Sequence, residues 1–243
     1  SLEAGLSATA SELASHSHAH DYRLGLRPRA EIEADLRRAH RVLSEVAGRP
    51  VVGFRAPGYN TTPAMLETLV ELGYVYDSSL LPSPAYFLAR AAAIARYAVG
   101  RRPSASLVGD PRAFAGPLGP YRTTPRAPWR RVASGPLVEL PMAVEPMSRC
   151  PIIGTSWVLF PRRLADALLE RSLSSGHPFV FEMHAIDLLD RSDPGIPTEL
   201  AAAQPDLRRP AKEKLAAFRR LFSTLRSRTE VRPLRAWARG AAG

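Results

Sequence analysis

Residues 29–77 restrict the fold more than any other part of the sequence. "RAEIEADLRRAHRVLSEVA" (29–47) sets Ile32, Leu36, Ala39, Leu43 and Val46 along one helix face, with charged residues between them and Gly48 as a stop. "PVVGFRAP" then reads as a short buried strand over 51–54 that ends at Arg55. "TTPAMLETLVELGY" reads as a second helix: Thr61 or Thr62 can cap it, Pro63 suits its first turn, and Gly73 ends it. "YVYDSS" is another short strand opening into a loop. Strand, helix and strand in this order predict an α/β layout with a largely parallel sheet.

Residues 82–135 break that rhythm. They are rich in Pro, Gly and Arg and contain one apolar helix candidate, "AYFLARAAAIARYAVGRR". There Phe87, Leu88, Ala91, Ile94, Ala95 and Ala98 can share a face beside Arg90, Arg96, Arg101 and Arg102. Such a helix packs on its own domain or lies on a membrane surface. The rhythm returns with "LVELPM", a strand, and "PRRLADALLERSLSSG", a helix ended by Gly176. "PFVFEMHAIDL" reads as an apolar strand that delivers His184, and residues 211–227 as an amphipathic closing helix. No repeat appears, so residues 1–243 are expected to form a single domain with an irregular basic insertion at about 82–135.

Composition removes several function classes. The single Cys150 excludes an internal disulfide framework and a Cys-rich zinc site. No run of 18 apolar residues is present to cross a bilayer. The start, "SLEAGLSATASEL", has neither the basic nor the long apolar region of a signal peptide, so a cytoplasmic or peripheral membrane location is expected. The net charge of +10 is carried almost wholly by Arg, since Lys212 and Lys214 are the only lysines. No zinc finger, RNP motif or basic–aromatic stripe singles out nucleic acid, so the charge points to a solvated surface or an anionic partner.

Half of the six histidines fall in "ELASHSHAH". His16 and His20 are four apart, a spacing that can turn both imidazoles to one side, where a first-row metal ion accepts them. Taken alone, the spacing equally suits a polar loop. Arg55 follows a strand, Asp77 a second strand and His184 a late apolar strand. Open α/β sheets gather ligands at the carboxyl ends of strands, so the four features are expected to make one site.

In this order, "ELASHSHAH", "GFRAPGYNTTPAMLETLVELGYVYDSSL" and the strand ending in His184 resemble the polysaccharide deacetylases with a NodB-type domain, carbohydrate esterase family four. The resemblance covers roughly residues 10 to 80 and 137 to 190. It implies a distorted parallel (β/α) barrel and a hydrolase that removes an N-acyl group, usually acetyl, from a sugar with a bound divalent metal, zinc by default. By resemblance, His16 and His20 are metal ligands and Ser17 braces their loop. Arg55 orients a catalytic carboxylate. Gly58 and Tyr59 lie at the oxyanion and substrate, with a backbone N–H near Gly58 on the oxyanion. His184 is the general acid, and Asp77 pairs with it. His18 falls at a variable position.

Three departures accompany the resemblance. The family opens with a strand ending in paired aspartates, one the third metal ligand and the other the base. Here no Asp precedes His16, and only Glu3 and Glu12 lie upstream. The expectation is a chain truncated before its first strand, inactive and marginally stable on its own. Asp21 is a poor substitute ligand. Ser78 and Ser79 follow Asp77 where many members carry Trp, and Glu182 stands where the common pattern has Leu. The substrate expected is a polysaccharide or, given the basic amphipathic segment, a lipid-linked glycan with peripheral membrane contact. The alternatives are an inactive glycan-binding relative and a hydrolase of a small non-sugar amide.

Overall fold

The computed structural model describes residues 11–99 and 106–240. They divide into two compact units: the chain up to Met142 together with the residues from Arg232 onward, and Ala143–Val231.

In the first unit, helix α1 (Arg29–Ala47) buries Ile32, Leu36 and Ala39, the stripe expected from its spacing. Gly48 closes it at φ 62°, a left-handed conformation in which Gly avoids a Cβ clash. Strand β1 (Gly53–Phe54) leads to helix α2 (Pro63–Glu71), whose first turn is capped by the Thr62 hydroxyl accepting the Met65 N–H. Strand β2 (Tyr76–Asp77), strand β3 (Tyr121–Thr123) and strand β4 (Leu137–Glu139) complete a sheet of order β1-β2-β4-β3. β1, β2 and β4 run parallel, and β3 joins the edge antiparallel. Ser15 extends the parallel set: its N–H donates to the Gly53 carbonyl at 2.8 Å, and its carbonyl accepts the Arg55 N–H at 3.0 Å.

Four parallel segments therefore end on one sheet margin, followed by His16, Arg55, Ser78 and Leu140. The register is held by close packing, since a Cβ at Gly53 would lie 2.1 Å from the Tyr76 ring. Leu36, Phe54, Met65, Leu66, Leu69 and Leu137 form the core beneath it. The parallel α/β organisation is as expected. Among the described residues the sheet is open and does not close into a barrel.

Helix α3 (Pro84–Val99) lies where the apolar segment predicts a helix, but its buried face is narrower. Only Phe87 is buried, stacked on Phe114 with ring centroids 4.5 Å apart. Leu88 is 70% exposed and Val99 87%. Full burial of such a side chain is worth roughly 1.5–3 kcal/mol, a gain that α3 forgoes at both positions. Arg101 and Arg102, expected beside this face, lie outside the described residues. The last helix, Leu234–Gly240, places Ala238 against Tyr76, Val138 and Leu140, and Glu12 accepts its Arg235 N–H at 2.9 Å.

The second unit is built from helices α4 (Gly154–Leu159), α5 (Arg162–Leu173), α6 (Thr198–Ala203) and α7 (Ala211–Arg228). Its core holds Trp157, Val158, Leu168, Leu169, Phe218 and Leu221. The indole N–H of Trp157 donates to the Ala217 carbonyl at 3.0 Å, so α4 and α7 are fixed by a polar as well as an apolar contact. Residues 178–184 do not form the expected strand ladder. They accept isolated bonds, Ala143 N–H on the Val180 carbonyl at 2.9 Å and Gly154 N–H on the Glu182 carbonyl at 2.7 Å. The chain then coils into a short 3-10 turn, Ala185–Leu188.

Candidate functional site

The histidine loop is built from its backbone outward. Ser17 at φ 63° and His20 at φ 53° hold left-handed conformations, which a non-glycine residue keeps only when its surroundings fix it. The Ser17 hydroxyl accepts the His20 N–H at 3.0 Å. Asp35 of α1 accepts the N–H groups of His18 and Ala19 at 2.9 and 2.8 Å. The His16 Nδ1 donates to the Arg55 carbonyl at 2.7 Å. A carbonyl only accepts, so Nδ1 carries the hydrogen. The rings of His16 and His20 stand 4.9 Å apart. Two imidazoles sharing a tetrahedral ion at a metal–nitrogen distance of about 2.0–2.1 Å would stand roughly 5 Å apart. The pair fits a divalent metal by spacing, and His16 also by tautomer. Among the described residues, no group of three or more His, Cys, Asp or Glu is placed to complete such a site. His18 is exposed.

Arg55 ties the strand ends together. Its Nε donates to the Ser78 carbonyl and its Nη2 to the Ser78 hydroxyl, both at 2.8 Å. That hydroxyl donates to the Leu140 carbonyl at 2.7 Å. The Ser79 hydroxyl donates to Asp77 Oδ1 at 2.5 Å and accepts the Ala56 N–H at 2.8 Å. The two serines that depart from the resembled pattern thus brace the ends of β1, β2 and β4.

Asp77 and Glu139 are register partners on β2 and β4, and both are fully buried. Glu139 Oε1 accepts the Leu80 N–H at 2.8 Å. Asp77 Oδ2 is buried without a hydrogen-bond partner. Two buried carboxyls on neighbouring strands each make it harder for the other to ionise. Burial pushes both groups above the usual carboxylate range, and for Glu139 the charge of Asp77 adds to the rise; Arg55 opposes it at both. Both line a cavity of about 420 Å³ together with Tyr59, Asn60, Phe87 and Trp129. Beside it, Gly58 at φ 61° and Tyr59 at φ 66° make a tight turn, and Arg90 donates to the Gly58 carbonyl at 2.8 Å. A Cβ at Gly58 would lie 2.5 Å from the Tyr22 ring.

In the second unit, His184 opens the 3-10 turn, and its N–H donates to Asp187 at 2.8 Å. Its Nδ1 stands 3.0 Å from Glu182 Oε1 and 4.0 Å from Asp187. Its side chain is half exposed, whereas Glu182 and Asp187 are buried.

With this geometry in view, residues 5–76 match the family model for polysaccharide deacetylase. Over these residues the chain is similar to the polysaccharide deacetylases. A crystal structure of a Mycobacterium smegmatis protein assigned as a polysaccharide deacetylase shares the fold, with TM-score 0.54 at 18% identity over 98% of this chain. This chain spans 65% of that protein. A looser likeness, with TM-score 0.37 at 13% identity, covers 89% of this chain and 67% of a family 4 carbohydrate esterase from Streptomyces lividans in complex with acetate. The sequence matches no curated protein.

The polysaccharide deacetylase match contains His16, His20, Arg55, Gly58 and Tyr59, and Asp77 follows it directly. Arg55 binds His16 through its carbonyl and acts on Asp77 through its charge, while Tyr59 and Asp77 line one cavity. His184 lies in the other unit. Three residues escape the sequence reading. Asp35 sits among the charges of an amphipathic helix and looks solvated. Glu139 is a carboxylate inside "LVELPM", and that placement was its signal. Glu182 shows as a departure from the family pattern but not as a partner of His184.

Proposed function

We propose that the chain carries much of the active site of a metal-dependent hydrolase that removes an N-acyl group, acetyl by preference, from a sugar of a polysaccharide or lipid-linked glycan. The observation behind this reading is the His16–His20 pair, with the Nδ1 of His16 committed to a backbone carbonyl. His16 and His20 would hold the divalent ion, zinc by ligand type. Bound there, such an ion polarises an acyl carbonyl and makes a bound water acidic.

The remaining roles fall to the chain's own groups. The Tyr59 N–H already donates to the Ala56 carbonyl at 3.0 Å, so the Gly58 N–H is the one offered to the oxyanion. The cavity lined by Tyr59 and Asp77 would take the acylated sugar: its volume lies in the range of small-molecule sites, with polar groups set in an apolar wall. Arg55 would hold this margin in shape. His184 would give its Nε2 proton to the amine as the C–N bond breaks, so that the amine departs neutral. Exposed Leu88 and Val99, on a helix that also carries Arg90 and Arg96, support a substrate close to a membrane surface. The base and third ligand, which the resemblance places on paired aspartates, are unfilled in this reading.

Acyl release from an N-acetylated oligosaccharide tests it. The 243 residues alone should not turn over. A form carrying the paired-aspartate strand upstream should do so with added metal, and His16→Ala should abolish that activity. Unchanged activity in His16→Ala would refute the assignment.

A further inference from the structure

Glu182 stands two residues before His184, in a place where the resembled pattern has Leu. It is 6% exposed, and its Oε1 is 3.0 Å from His184 Nδ1. A carboxylate at that distance only accepts, so Nδ1 must carry a hydrogen. Asp187, the other carboxylate near the ring, is 4.0 Å from Nδ1. It already accepts the backbone N–H of His184 at 2.8 Å and the Thr155 hydroxyl at 3.1 Å. Asp187 therefore shapes the turn, and Glu182 holds the ring.

The surroundings of Glu182 are fixed from several directions. Its carbonyl accepts the Gly154 N–H at 2.7 Å. A Cβ at Gly154 would lie 2.2 Å from Asp187 Oδ2, so α4 approaches this turn as closely as Gly allows. At the far end of the turn the buried Lys214 donates to the Leu189 carbonyl at 2.6 Å and pairs with Asp206 at 3.5 Å. Nδ1 faces a buried carboxylate, and the side chain as a whole is half exposed.

We infer that Glu182 is a positioning residue: it locks His184 in the Nδ1–H form and aims Nε2 at an incoming group. The family resemblance gives a carboxylate partner of this kind to Asp77; Glu182 supplies one from the extended segment that carries the histidine itself. The role rests on reading His184 as the general acid. The doubly protonated ring gives its Nε2 proton to the departing amine nitrogen and keeps its Nδ1 hydrogen on Glu182.

The test uses the full chain labelled with ¹⁵N-histidine, read by two-bond ¹H–¹⁵N correlation at a pH where the ring is neutral. The wild-type His184 signal should show the Nδ1–H pattern. In Glu182→Leu it should change to the Nε2–H form, the commoner one in solution, with far-UV circular dichroism unchanged. Glu182→Ala carries the same expectation should Leu not be accommodated. A wild-type signal of the Nε2–H type, or an Nδ1–H pattern that survives in a folded variant, would overturn the inference. Failure of acyl release by the metal-loaded form with the upstream aspartates would instead sink the hydrolase reading, and the tautomer result would stand.

Discussion

His16 and His184 are both held through Nδ1, but by different acceptors. His16 donates to a backbone carbonyl, whereas His184 faces a buried carboxylate. A carbonyl fixes the tautomer without adding charge, which suits the metal-ligand role proposed for His16. A carboxylate fixes the same tautomer and stays a satisfied partner when the ring takes a second proton, as a general acid must. One residue type is thus given two different settings by what lies behind it. Their supports also differ: the first loop hangs on Asp35 and strand pairing, the second on a close-packed turn.

The packed turn should break most severely. Gly154→Val pushes a side chain into Asp187 and should destabilise the second unit by on the order of 2–3 kcal/mol in urea unfolding. The same variant should scramble the His184 tautomer and leave metal binding by His16 and His20 unchanged. An equal loss at both sites would show that the two supports are not separate.

A smaller effect is expected at Asp77 and Glu139, a carboxyl pair without a histidine. Their folded pKa values lie above the unfolded ones, so the folded state holds more protons in the window between. Stability should be greatest in mild acid, fall as pH rises from the ordinary carboxylate range through the raised values, and then level off. Glu139→Gln keeps an acceptor for the Leu80 N–H and offers Asp77 a permanent donor. It should flatten this fall without lowering the melting temperature at neutral pH. A melting profile as steep as wild type would contradict the mutual raising of this pair.

Asp35→Ala removes two charge-assisted bonds from the histidine loop. It should weaken metal binding roughly tenfold, as loss of a group that orients ligands does, and leave the His184 signals untouched. The smallest effect belongs to the exposed ion pairs of Glu71 with Arg29 and Arg37, where Glu71→Ala should leave the melting temperature within error.

Much of this arrangement was legible in the sequence where local chemistry decides it. The apolar stripe of α1 and the stop at Gly48 fix both ends of that helix, and Thr62 with Pro63 announces α2. Legibility fell where distant partners decide. Residues 178–184 have the apolar content of a strand, yet their bonds go singly to Ala143 and Gly154. Leu88 has the spacing of a buried position, but the partner for α3 is narrow and seats Phe87 alone. The histidine motif singles out His16 and His20 as candidates because their spacing is local. What sets the His16 tautomer is the carbonyl of Arg55, 39 residues away. Glu139 needs its register with Asp77 before its proton can be argued.

The claim on which the account depends is that His16 and His20, and not His18, present nitrogen lone pairs to one ion. Cobalt(II) titration of the chain, followed by its visible absorption, tests this directly. Saturation at one ion per chain should be retained in His18→Ala and lost in both His16→Ala and His20→Ala. Binding that survives either loss, or that disappears with His18, would contradict the account.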